Sequence, residues 1–151
     1  MNSRSRHTTE AGTAAVEAVI VMSVLLLAVV GGAETARALW TYNTMLMAVE
    51  QAGRYAMMYN HRPPANCMTQ TQASQCPALS NTPAANCSAW YAQQILAAYR
   101  APAIAVSVAV DTTTSPATMT ICASHSFDFI APQLLPYGPL DLIRSVTVPM
   151  I

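Results

Sequence analysis

The sequence predicts an α+β chain: one long N-terminal helix able to cross a membrane, then a small domain with a short helix and an antiparallel sheet. Three observations predict it. The apolar residues crowd into one N-terminal run, all ten prolines lie at or beyond Pro63, and the C-terminal third alternates apolar with small residues at period two. Across 151 residues 53% are apolar and only 9% charged, where a soluble domain carries roughly 25% charge. Seven basic and seven acidic residues cancel, and lysine is absent. A nucleic-acid binder needs an excess of phosphate-neutralising charge, so that class is excluded. A disordered acidic tail is excluded by the high hydrophobicity. The length suits one modest domain.

From Thr13 to Ala33 the chain carries a single charge, Glu17. At about 1.5 Å per residue this stretch covers about 31 Å, the thickness of a bilayer's hydrocarbon core. A buried core helix is the alternative, but the remaining chain is too small to surround one. Arg4 and Arg6 precede the run, while Glu34 and Arg37 after it cancel. The positive-inside bias then keeps the N-terminus cytoplasmic and sends the C-terminal domain across the membrane. A secretory signal cleaved near Gly31-Gly32-Ala33 is disfavoured, because the apolar run is long and opens on an acid.

An acid inside a span is costly, about 2.5–3.5 kcal/mol for Asp at the centre and less near an end. Glu17 therefore either snorkels to the interface or meets a positive partner. A cut after Gly12 supplies one. Thr13 then carries a new α-amino group at the same helix end, and in a bundle of such helices Glu17 of one subunit neutralises the amine of a neighbour.

A short basic leader ending in glycine, four residues, a glutamate and a long apolar helix resemble the processing site of type IV prepilins. The run AGTAAVEAVIVMSVLLLAVVGGAETARALWTYNTMLMAVEQAGRYA resembles more closely the TadE/TadF-like proteins of tight-adherence (Flp-type) pilus systems. The features that carry the likeness are the G-x-x-x-x-E opening at Gly12 and Glu17, the E-x-x-R pair Glu34 and Arg37, and the Ala-rich helix closing on Gly53-Arg54-Tyr55-Ala56. It covers roughly residues 11–60, with a weaker likeness in the closing strand Arg144–Met150. Ala18, Thr13 and Met22-Ser23 depart from the family's usual aromatic, Phe and proline. The resemblance implies a pilin-like fold and a minor pseudopilin of the bacterial inner membrane. It also implies cleavage between Gly12 and Thr13 by a prepilin peptidase. The implied partners are other pilus or pseudopilin subunits and the inner-membrane assembly platform.

Past the span the helix is expected to continue over 34–60. Glu34 with Arg37 and Glu50 with Arg54 are spaced to pair along one face, each pair worth about 0.2–0.5 kcal/mol when exposed. Leu39, Tyr42, Leu46, Val49, Gly53 and Ala56 form an apolar stripe expected to pack on the protein's own sheet. Gly31-Gly32 permits a bend or a close helix contact. Pro63-Pro64 requires the helix to stop by Arg62.

Residues 61–87 are rich in Pro, Asn, Ser, Thr and Gln and read as a loop long enough to need stapling. Cys67, Cys76, Cys87 and Cys122 allow three full pairings, and an exported location favours oxidation. The expectation is two disulfides, one within the loop and one tying it to Cys122. Cys122 and His125 resemble half of a metal-ligand set but lack a second short pair. Ser88–Arg100 reads as a helix capped by Asn86 or Ser88 with Arg100 at its C-terminal end. Ala103–Asp111 and a stretch from Met119 to Phe129, with a local break near His125, read as strands. Ile143–Met150 reads as a third, at the edge because of Pro149.

Nothing assembles into catalytic chemistry. The three histidines, His7, His61 and His125, lie far apart, and no nucleophile elbow, phosphate-binding glycine loop or H-E-x-x-H occurs. No enzymatic activity, cofactor or metal is expected. The competing expectation to a pilus role is a single-pass, membrane-anchored extracytoplasmic binding domain.

Overall fold

The computed structural model describes residues 6–59, 67, 80, 82–130 and 138–150, with the side chains of 6–11 set aside. Its elements run α1 (Arg6–Tyr59), α2 (Pro83–Ala98), β1 (Ala105–Asp111), β2 (Thr118–Phe127) and β3 (Leu140–Pro149). The architecture is α+β, with the strands in order β1-β2-β3 and every pairing antiparallel. Two compact units divide the chain, Met1–Arg37 and Ala38–Ile151.

No proline interrupts α1, and its Ala, Leu and Met content favours helix over its whole length. The helix passes through Gly31-Gly32 without a break. In the second unit α1 packs on the sheet and on α2 through Met45, Ala48, Val49, Ala52 and Ala56. Val49, Gly53 and Ala56 of the expected stripe are buried in this seam, whereas Leu39 is 57% exposed, Tyr42 and Leu46 are half-buried, and Met45, Ala48 and Ala52 complete it. The reason is close approach: a Cβ on Gly53 meets Val146 Cγ1 at 3.0 Å and Val148 Cγ1 at 3.2 Å. Glycine, otherwise costly in a helix by about 1 kcal/mol relative to Ala, is what lets β3 sit this near the helix backbone.

The second helix begins earlier than expected, inside the stretch read as loop. Thr82, not Asn86 or Ser88, is the N-cap: its hydroxyl accepts from Ala85 N at 3.2 Å and its carbonyl from Asn86 N at 3.0 Å. Pro83 at the first helical position fixes a helical φ where no N–H is needed. Asn86 and Ser88 are therefore internal and buried, Ser88 donating back to Ala84 O at 2.9 Å. At the far end Arg100 N donates to Ala97 O and Ala101 N to Leu96 O, both at 3.0 Å, which closes the helix in a Schellman turn. Arg100 occupies its left-handed position, φ 51°, where glycine is usual.

Strand alternation holds as expected, with Val106, Val108, Met119, Ile121, Ala123 and Val148 on the face toward the helices. The second strand does not break at His125, which stays paired with Leu142, and it ends at Phe127 rather than Phe129. His125 Nδ1 instead lies 3.0 Å from Ala103 O. The third strand starts at Leu140, three residues before its expected start, and is an edge strand. At the opposite edge Ser80 N donates to Val108 O at 2.9 Å and Ser80 Oγ accepts from Val110 N at 2.8 Å, satisfying groups a free edge leaves open. The β1–β2 turn holds a cis Ser115–Pro116 bond and an Asx turn in which Asp111 Oδ1 accepts from Thr113 N and Oγ1.

Three outcomes check this account. Gly53→Val places methyls into Val146 and Val148 and is expected to destabilise the full chain by about 1–3 kcal/mol, read as a lower thermal midpoint. Arg100→Gly relieves the left-handed position and is expected to raise that midpoint, by at most about 1 kcal/mol. The Thr113 hydrogen bonds, side chain first and then backbone, hold the Asp111 carboxyl below its ordinary value. Its stabilising effect is therefore present at neutral pH and lost as pH falls through that lowered value. NMR titration should show Thr113→Ala moving the Asp111 midpoint upward.

Candidate functional site on the apolar helix

From Gly12 to Val29 every residue of α1 is exposed or bare on all sides of the helix. Ten large apolar side chains between Val16 and Val29 keep more than half of their surface uncovered, among them Val19 at 69% and Leu27 at 52%. Burying such side chains is worth about 1.5–3 kcal/mol each, so leaving all ten in water forfeits about 15–30 kcal/mol. That exceeds the whole stability of an ordinary domain, ~5–15 kcal/mol. The most apolar 18-residue window has a mean hydropathy of 2.5 and none of it is buried within the protein. The helix is long and apolar enough to cross a membrane.

The hydroxyls in and beside this stretch at Ser23 and Thr35 are satisfied locally, which a hydrocarbon setting favours. Ser23 Oγ donates to Ile20 O and Thr35 Oγ1 to Gly31 O, both at 2.8 Å. Just past the apolar run Arg37 Nη1 donates to Glu34 Oε2 at 2.9 Å. Glu34 is buried and Arg37 half-exposed, so the pair presents a cation's edge and no net charge. The sequence-matched second pair does not close: Glu50 and Arg54 are both exposed and form no ion pair. On the solvated face such a contact gains too little to hold two long side chains together.

Gly12 and Thr13 lie within the helix, one turn before the exposed Glu17. A Cβ at Gly12 has nothing within 4 Å, and the same is true at Gly31 and Gly32. The fold itself therefore places no demand for glycine at these three positions. Ala18, Val19, Met22, Ser23 and Leu26 line a shallow groove on the helix surface. Cys67 and Cys87 form a disulfide with Cα atoms 4.8 Å apart. Cys122 is also disulfide-bonded, and Cys76 lies outside the described residues, as does His61. Among the described residues no group of three His, Cys, Asp or Glu is placed to hold a metal ion.

Two side-chain assemblies escape a reading by periodicity. Arg144 sits over the Tyr42 ring with its guanidinium carbon 4.5 Å from the centroid. Strand parity places Arg144 on the helix-facing side, and that parity was the available signal. Tyr55 stacks between Tyr59, at 4.7 Å, and Tyr91, at 4.5 Å. No pattern in the chain joins Tyr91 to the other two before α2 is placed.

Residues 12–54 match the family model described as TadE-like protein. The match falls inside the stretch whose residues resemble that family. No curated protein and no solved structure matches the chain.

The membrane reading has a direct check. Replacing Val21, Leu25 and Val29 together with Arg adds about 2.5–3.5 kcal/mol per residue at a span's centre. The triple variant is expected to leave the membrane pellet after alkaline extraction, while the unaltered chain stays in it.

Proposed function

We propose that this chain is a minor pseudopilin that supports assembly of a tight-adherence pilus. Residues 12–54, which match the TadE-like model, supply the assembly helix. The observation that carries the reading is an uncovered apolar helix opening on Gly12 and Glu17 in the matched stretch. In this reading residues 1–12 are a basic leader that stays cytoplasmic, and a prepilin peptidase cuts between Gly12 and Thr13. Residues 13–33 span the bacterial inner membrane, and 34–60 continue the helix on the periplasmic side. Residues 61–151 form the small domain that the disulfides staple.

The chemistry after cleavage is electrostatic. The Thr13 amine and Glu17 lie four residues apart, about 6 Å along one helix face. In a low-dielectric bundle an unpaired carboxylate is expensive, and a neighbouring subunit's amine offsets that cost. Axial register between helices follows from this one contact. The shallow groove at Ala18 and Ser23 supports close helix approach, since small residues let backbones come together without a hydrophobic driving force. The subunit acts by interaction and carries out no reaction of its own.

Intact-mass measurement after co-expression with a prepilin peptidase tests the reading. A chain beginning at Thr13 is expected with the peptidase and an unshortened chain without it. Gly12→Arg is expected to block shortening without disturbing the fold, because the space around Gly12 is open. Glu17→Ala is expected to insert normally yet recover several-fold less of the partner subunits on co-purification. A chain unshortened in both cultures overturns the pilus role and favours a membrane-anchored binding domain, and one starting near Glu34 overturns it as well.

A further inference from the structure

We propose that the groove between the end of α1 and α2 binds an extended acidic segment of a partner polypeptide, whose Asp or Glu carboxylate is held by Arg54 and the Tyr55 hydroxyl. The groove encloses about 330 Å³ and is lined by Gln51, Arg54, Tyr55, Met58, Tyr59 and Tyr91. It belongs wholly to the second unit and lies beyond the uncovered apolar run Val16–Val29, although Gln51 and Arg54 fall within the matched stretch.

Four observations converge on a carboxylate. The lining offers a guanidinium, an amide and three phenols, and no acid among the described residues. Arg54 is exposed and has no ion-pair partner among the described residues, although Glu50 stands at helical spacing from it. Tyr55 is the deepest member, 9% exposed, and its hydroxyl is buried with no hydrogen-bond partner among the described residues. An unpaired buried hydroxyl is a cost that phenylalanine avoids, and an entering acceptor removes it. Burial, then the neighbouring Tyr59 and Tyr91, push the Tyr55 phenol up, so at neutral pH it is a donor.

The number and layout of the donors choose the ligand. One guanidinium matches one carboxylate through two parallel hydrogen bonds, whereas a polyphosphate needs several cations. Gln51 to Met58 runs about 10 Å along the helix, the length of about three extended residues. That is a passage for a strand and more than a chain end needs. Met58, 72% exposed, and Tyr59, 46% exposed, offer apolar surface to the residues beside the acid. Tyr55 is held from both sides, by ring stacking and by the buried Cys67–Cys87 bridge in its own cluster, so the donor is fixed before the partner arrives.

The test uses the full chain in lipid nanodiscs and three dye-labelled peptides, followed by fluorescence polarisation. These are Leu-Glu-Leu amide, Leu-Gln-Leu amide, and Leu-Leu-Leu with a free C-terminal carboxylate, all acylated at the N-terminus through the dye. Saturable binding of the Glu peptide is expected, at least tenfold tighter than the Gln peptide and the free-acid peptide. Arg54→Gln is expected to weaken it at least tenfold. Tyr55→Phe is expected to weaken it several-fold while leaving the thermal midpoint of the unliganded protein equal or higher, which separates a ligand donor from a structural one. Absent binding, equal affinity for Glu and Gln peptides, or an unchanged affinity in either variant overturns the proposal. Preference for the free-acid peptide overturns the occupant in favour of a chain end. None of these outcomes bears on the mature N-terminus, so failure here leaves the mass test standing.

Discussion

A helix that is apolar on every side has to be covered, and none of the described residues covers it. The small domain spends its apolar residues on its own core, where Met45, Val49, Met119, Ile121, Val106 and Val108 are fully enclosed. Val16 to Val29 are left for a different medium, either lipid tails or the flanks of other helices. Everything else follows from that demand. It fits the scarcity of charge, the bonding of the Ser23 and Thr35 hydroxyls to their own helix, and the pairing of Glu34 with Arg37. In the proposed function it also gives Glu17 its meaning, since an acid on such a helix either reaches the interface or is met by something positive.

The second unit solves a different problem, which is how a small domain with few large side chains reaches close packing. Its answer is proximity. Ala48, Ala52, Gly53 and Ala56 line the helix where it faces the strands, and Ala85, Ala89 and Ala92 do the same on α2. Small residues on the helices allow Val and Ile from the sheet to reach past them toward the backbone. The larger side chains are held where the helices part. There Tyr55, Trp90 and Tyr91 gather around the Cys67–Cys87 bridge.

Much of this fold was legible because its signals are local. The apolar run, the positions of the prolines and the alternation of Val106, Val108 and Val110 each depend on neighbours in the chain. The errors have equally local causes. Thr82, Asn86 and Ser88 all favour the cap role, and only the extended backbone at Thr82 followed by Pro83 decides between them. Leu39 looked like a core residue because hydrophobicity ranks it above alanine, whereas the seam is set by closeness of approach. The partner of Tyr55 on α2 and the exposed, unpaired state of Arg54 depend on how separate elements meet. No one-dimensional pattern records such a meeting.

The Cys67–Cys87 bridge has a bearing on durability outside the cell's reducing interior. It joins Cys67, past the end of α1, to the first turns of α2, closing a loop across a sequence separation of 20. A protease that severs any peptide bond inside that loop frees nothing. Both pieces remain one molecule until a reductant arrives, and the wound is invisible to any size measurement made without one.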